Sequence, residues 1–234
     1  MRINKFLAKA GLGSRRSVED LVRKRKIKLN GKVITKLATK VDPENDTVTY
    51  NNKKLSLPQK KIYLMLNKPP GYIVTADDPF DRETVFELLP KFPARIFPVG
   101  RLDKNSRGLI FFTNDGKWAN RIIHPSKKIK KLYYVLVEGK ISQNQIKQLR
   151  NGINLGNFTT QPTRVYFQNY KKTQNQTKLK FYLSEGKKRQ IRRMIKAVDS
   201  TVIDLKREQI GKVKLGKLPQ GYWRHLTNRE IKYF

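Results

Sequence analysis

The chain contains no cysteine and only two histidines, His124 and His225. Without a thiol there is no disulfide framework, no thiolate metal site and no cysteine nucleophile. Two histidines alone cannot build a histidine-rich metal centre, so no metal is expected. Acidic residues are also scarce: 18 Asp and Glu stand against 52 Lys and Arg, a formal charge of +34 over 234 residues. No apolar stretch approaches the ~20 residues needed to span a bilayer, so no membrane partner is expected. Met1 leads directly into patterned sequence with no secretory or transit segment, and a cytoplasmic location is expected.

What is present is enough for a packed interior. Hydrophobic residues make up 38% of the chain, with 11 Phe and 10 Tyr, and the length allows one large domain or two smaller ones. The positive excess runs through both halves; residues 1–60 alone carry 16 Lys and Arg against 5 acids. Such a charge repels itself unless a polyanion is the usual neighbour, which points to nucleic acid. Charge alone gives affinity for DNA and RNA alike, so a DNA-binding protein stays open as a weaker reading.

Near the N-terminus Ile3, Phe6, Leu7 and Ala10 share one helical face, and Gly11 can end that helix. Ser17, with Asp20 three residues on, predicts a second helix with a capping-box-like start; its apolar residues are Val18, Leu21 and Val22. A basic run at 23–26 follows, then strands at 27–29 and 32–34 joined by the hairpin signal Asn30-Gly31, and a further strand at 47–50. The polar stretch 55–61, with Pro58, reads as a linker. The division expected is a first domain at 1–57, a linker at 58–61 and a second domain at 62–234.

The second domain is expected to open with strands at 62–66 and 72–75, a charged loop at 77–82 and a short helix at 84–89 stopped by Pro90. Apolar runs at 95–99 and 109–113 then flank a loop from Gly100 to Gly108, which carries Asp103 among Arg101, Lys104 and Arg107. A lone Asp on such a loop is either a charge-satisfied turn residue or a catalytic group on a rigid mount. A helix at 117–123, a strand at 132–138 and a helix from Ser142 to Asn151 come next. Strands at 164–167 and 178–184 enclose a polar loop, 169–177, expected as a hairpin tip or an RNA-facing excursion. Residues 186–198 predict a helix with Ile191, Met194, Ile195 and Val198 on one face and Arg189, Arg192, Arg193 and Lys196 on the other. Those like charges repel one another, so an anion is expected there. Strands at 201–207 and 211–215 and a last helical turn capped by Thr227 complete the chain.

Residues 1–55, two short helices and a small sheet with Ser14-Arg15-Arg16 between the helices, resemble the S4 RNA-binding domain. The resemblance implies phosphate contacts that position rather than read sequence, from Arg15, Arg16, Lys24 and Arg25. The whole chain resembles the RsuA/RluB/RluF branch of ribosomal RNA pseudouridine synthases. The motifs are Gly100-Arg101-Leu102-Asp103 followed by Gly108-Leu109; Lys131-Leu132-Tyr133-Tyr134-Val135; residues 186–194; and Leu205-Lys206-Arg207 through Gly221-Tyr222-Trp223-Arg224.

That resemblance implies an α+β fold: a small S4-type domain of two helices and a small sheet, then a catalytic domain with a mainly antiparallel mixed sheet and flanking helices. It implies a monomer that isomerises uridine to pseudouridine in ribosomal RNA or a ribosomal subunit precursor, without cofactor, with a lean towards the large subunit. Asp103 would be the essential carboxylate, by attack on C1′, by attack on the base or by removal of the 2′ proton, each of which needs it ionised. Tyr133 would stack on the base, and Tyr134 would point to the opposite side of its strand. Arg192 would pair with Asp103, Arg189 and Arg193 would hold phosphates, and Leu205 would wall the base pocket. Arg101 would fill the space left by the flipped nucleotide or hold that nucleotide. The rival reading is an S4-domain RNA-binding or ribosome-assembly factor without catalysis. The presence of Asp103, Tyr133 and Arg192 together argues against it.

Overall fold

The computed structural model describes residues 1–76 and 78–234; Asp77, the first residue of the charged loop expected at 77–82, lies outside the described residues. The chain divides into two compact units, Met1–Ile62 with Lys91–Phe97 and Tyr63–Pro90 with Pro98–Phe234.

The first unit opens with α1 (Ile3–Lys9) and α2 (Ser17–Arg23), followed by β1 (Ile27–Leu29), β2 (Lys32–Val33), β3 (Val48–Tyr50) and β4 (Lys53–Lys54). The strands form an antiparallel sheet in the order β2-β1-β3-β4. Helices of 7 residues do not persist alone in water; these are held by what they bury. Ile3, Phe6 and Leu7 meet Val18, Val22, Ile27, Val41 and Val48 in one small core. Asn30 and Gly31 both have positive φ, 49° and 80°, the conformation a two-residue hairpin with the strands' own twist requires. The start of α2 departs from expectation. Ser17 is not its cap: the Ser14 hydroxyl accepts from the Ser17 N–H at 3.0 Å. Asp20 faces outward instead, where Arg23 reaches it at 3.4 Å.

The second unit contains β5 (Tyr63–Lys68), β6 (Phe97–Val99), β7 (Arg107–Thr113), α3 (Gly116–Ile123), β8 (Lys131–Glu138), α4 (Gln143–Asn151), β9 (Arg164–Lys171), β10 (Gln176–Leu183), α5 (Gln190–Lys196), β11 (Val202–Ile210), β12 (Val213–Lys214), β13 (Trp223–His225) and α6 (Asn228–Ile231). Its main sheet has the order β13-β5-β7-β11-β8-β10-β9. Only β7 and β11 run parallel among these pairs; the others are antiparallel. The mainly antiparallel mixed sheet of an α+β fold is therefore present. β5 and β7 are buried along almost their whole length, as central strands covered on both faces must be. Against them Trp118 of α3 packs with Phe111 and Phe234, ring centroids 5.6 Å away in each case. Helices α3 and α4 start as their capping residues predict, with Asp115 and the Ser142–Gln145 pair accepting the first free N–H groups.

Four expectations fail for local physical reasons. Residues 72–75 form no strand; Ile73 makes one bridge to Thr84. Residues 84–89 form successive turns, because six residues ended by Pro90 cannot repay helix nucleation. The polar stretch 169–177 is mostly strand: only 172–175 turn, since an outward strand face tolerates polar side chains. The helix expected over 186–198 begins at Gln190, because Arg189 takes a left-handed φ of 51°. No helix of the described residues is long and apolar enough to cross a membrane.

Candidate active site

Lys68 closes the buried strand β5 and is drawn inside with it, fully shielded from solvent. Its ammonium donates to the carbonyls of Pro69 at 2.9 Å, Lys104 at 3.0 Å and Ser106 at 2.8 Å, so its three N–H bonds are all used. Burial lowers its pKa from 10.5 to about 8, against the opposing pull of Asp103. The Gly71 N–H donates to the Lys104 carbonyl from the same side, at 3.0 Å. The loop between β6 and β7 is thus fastened from beneath, and its tip closes on itself through Ser106 N–H to the Asp103 carbonyl, 3.0 Å.

Two arginines grip the same loop. Arg192 of α5 donates to the Asn105 carbonyl at 3.0 Å and to the Val202 carbonyl at 3.3 Å. Arg207 of β11, 3% exposed, donates to the Leu109 carbonyl at 2.6 Å and reaches the Arg101 carbonyl at 3.4 Å. Burial lowers the Arg192 pKa, helped by Arg189 and opposed by Asp103. Arg192 Nε and Arg207 Nη2 are buried donors without a protein partner among the described residues. Buried donors of this kind are costly and mark where an anionic or carbonyl acceptor is favoured.

Above the loop lies a cleft of about 700 Å³, lined by Arg101, Asp103, Tyr133, Arg189 and Leu205 among others, all within the second unit. Five residues singled out in the sequence therefore come together. Two do not. Arg192 makes no ion pair with Asp103 among the described residues; its Nη2 goes to the loop carbonyl of Asn105 and its Nη1 to the Val202 carbonyl of β11, so it holds the loop two residues beyond the carboxylate. Arg193 turns its Nη2 to the Leu155 carbonyl and to Asn157 Oδ1, its guanidinium 5.0 Å from the Phe158 ring centre, and does not line the cleft. Tyr133 is buried towards the cleft and Tyr134 lies half-buried on the other face of β8, as strand alternation requires. In the first unit Arg15, Arg16, Lys24 and Arg25 are all exposed.

Among the described residues three carboxylates border the cleft. Asp78 is held by Arg82 at 2.7 Å, which keeps its pKa down at about 2. Glu185 accepts from Gln190 at 2.6 Å and from the Gln161 N–H at 3.1 Å. Asp103 has neither ion pair nor hydrogen bond to its carboxylate among the described residues, and its charge is felt by Lys68 and Arg192. Local sequence gives no role to Lys68 or Arg207. The signal for Arg207 is a cation at the inward position of an alternating strand, where it shares the parity of Leu205; Lys68 ends a continuously apolar strand and carries no such signal.

A cleft in an α+β unit, with one unengaged carboxylate on a clamped loop and an aromatic wall, is the site of an enzyme acting on a flat, anionic substrate. Residues 62–197 match the family model for RNA pseudouridylate synthases, and residues 1–48 match the S4 domain. The chain belongs to the RNA pseudouridylate synthase family. It is 42% identical to an uncharacterised RNA pseudouridine synthase of Aquifex aeolicus, over 99% of this chain and 92% of that one. It is 37% identical to the ribosomal large subunit pseudouridine synthase B of Bacillus subtilis, over 99% of this chain and 94% of the relative. A solved pseudouridylate synthase superposes with a TM-score of 0.73 at 28% identity, covering 100% of this chain and 99% of its own.

Proposed function

We propose that this protein isomerises a uridine of large-subunit ribosomal RNA to pseudouridine, with Asp103 as the catalytic carboxylate. The observation that carries the reading is the state of Asp103: unengaged, on a loop pinned by Lys68, Arg192 and Arg207, at the floor of a nucleotide-sized cleft. The name of the Bacillus subtilis relative supports the choice of RNA.

The reaction breaks N1–C1′, turns the uracil within the site and joins C5 to C1′; C5 then gives up its proton and N1 gains one, so the product is an isomer. A pinned loop keeps the carboxylate in place while the base turns, which is where positioning lowers the barrier. Tyr133 offers a ring face for the uracil and a hydroxyl near its C5 edge, and Leu205 closes the apolar side. Arg101, exposed at the mouth, is set to meet the strand from which the uridine is flipped, a step costing a few kcal/mol. Arg192 acts by holding the loop through Asn105 and comes to the Asp103 carboxylate when substrate fills the cleft. Arg15, Arg16, Lys24 and Arg25 supply phosphate contacts from the first unit, and the protein works as a monomer.

Ribosomal RNA incubated with wild type or Asp103→Asn, then treated with carbodiimide and copied by primer extension, tests the reading. A new stop in large-subunit RNA, present with wild type and absent with the variant, is expected. Equal patterns on free RNA and on subunits would overturn it.

A further inference from the structure

The side of the large sheet turned away from the cleft carries chemistry that the cleft does not use. Along β10 the buried Thr177, Leu179, Phe181 and Leu183 alternate with outward Lys178, Lys180 and Tyr182. Strand register places Lys206, Tyr134, Lys180 and Tyr166 in one row across β11, β8, β10 and β9, cation and ring in turn. The Lys178 ammonium lies 5.3 Å from the Tyr134 ring centre, and that of Lys180 lies 5.4 Å from Tyr182. Tyr166, 42% exposed, meets Tyr182 edge to face at 6.0 Å. Beside the row is an open concavity of about 610 Å³.

A merely solvated sheet face usually sets opposite charges across from one another. Here the two acids lining the concavity are each taken by their own cation, Asp204 by Arg107 at 2.7 Å and Glu208 by Lys206 at 2.8 Å. Lys178 and Lys180 have tyrosine rings for neighbours, and exposed Arg164 and Lys171 extend the positive edge. Rings spaced among cations on an open sheet suit a chain of flat bases joined by phosphates: bases stack on the rings while the cations meet the phosphates. We propose that this face is a second RNA-binding surface that takes an unpaired RNA segment, with phosphates on Lys178 and Lys180 and bases on Tyr166 and its neighbours. Tyr133 and Tyr134 point to opposite faces of one strand, so this segment is not the one that carries the target uridine. The inference goes beyond the proposed reaction and does not depend on it.

The test uses the full chain and a short fluorescein-labelled oligoadenylate, which contains no uridine. Anisotropy titrations over a salt series compare wild type, Lys178→Gln with Lys180→Gln, Tyr166→Ala and Tyr166→Phe. The lysine pair should weaken binding about tenfold and reduce the salt slope by about 1.4, two single-strand phosphate contacts. Tyr166→Ala should weaken it about tenfold at unchanged slope, and Tyr166→Phe should restore it. Ultraviolet cross-links of the same probe, below saturation, should map to residues 164–182 and fall about tenfold in the lysine variant. Cross-links confined to other segments, with affinities unchanged, would overturn the proposal. So would loss of polyglutamate binding in the lysine variant with Tyr166→Ala silent, which would mark a surface for acidic polypeptide.

Discussion

Asp78, Glu185 and Asp103 share one cleft, yet only the last has both carboxylate oxygens free of protein partners among the described residues. Asp103→Asn keeps size and shape and removes the charge. It should cut turnover by at least about 10²-fold while RNA binding changes little, as single-turnover and filter-binding assays would show. An equal loss of binding and turnover would mean that the residue is structural. Lys68 makes a pH prediction whose two halves have opposite sign. Its pKa is lowered from 10.5 to about 8 by burial, so below pH 8 the folded chain bears the cost of a buried charge. Between those values the unfolded chain binds more protons, so the contribution of Lys68 to stability rises with pH. Activity should do the reverse, because a neutral amine has one hydrogen too few for the carbonyls of Pro69, Lys104 and Ser106. A pH–rate profile should fall above about pH 8 with no drop in the urea midpoint across that window. Lys131, also lowered to about 8 by burial, titrates in the same range, and Lys131→Gln should leave the limb in place.

At the scale of elements, the clamp works because β7 and β11 approach closely in their one parallel pairing, at Lys206–Arg107 and Arg207–Gly108. Gly108 has φ 104°, and a Cβ there would lie 2.3 Å from the Arg207 carbonyl oxygen and 2.8 Å from its nitrogen. Neither backbone can yield without breaking the pairing. Gly108→Ala should therefore cost about 3 kcal/mol or more in urea unfolding. Gly139 separates the two causes, since its φ is 78° but open space surrounds it. Gly139→Ala should cost only about 1 kcal/mol, the conformational part alone. Equal costs at the two positions would show that the close approach does not matter.

For the whole molecule the dominant quantity is the charge of +34. It attracts RNA at long range and makes binding fall steeply with salt. In the first unit Arg15 and Arg16 are exposed side by side where α2 begins. Replacing both with Gln should reduce the slope of log affinity against log salt by about 1.4 to 1.8, with little effect on turnover at saturating RNA. A slope equal to that of wild type would remove these residues from the interface.

What the sequence determined by itself is what short range decides. The cap at Ser142, the Asn30-Gly31 turn and the apolar faces of α1 and α5 depend on neighbours within one turn. So does the opposite orientation of Tyr133 and Tyr134. The sequence also placed Arg101, Asp103, Tyr133, Arg189 and Leu205 as a set, because their motifs belong to one recognisable order. Only the tertiary structure decided which cations hold the loop. Two of the three carbonyls that satisfy Lys68 come from residues 36 and 38 positions away, and the one that takes Arg207 Nε from 98. It likewise turned Arg192 to the backbone and Arg193 away from the cleft, since their acceptors, at Asn105 and Asn157, lie 87 and 36 positions away in the chain. Local periodicity shows which side chains point inward; what meets them there is set by strands that pair across the length of the chain.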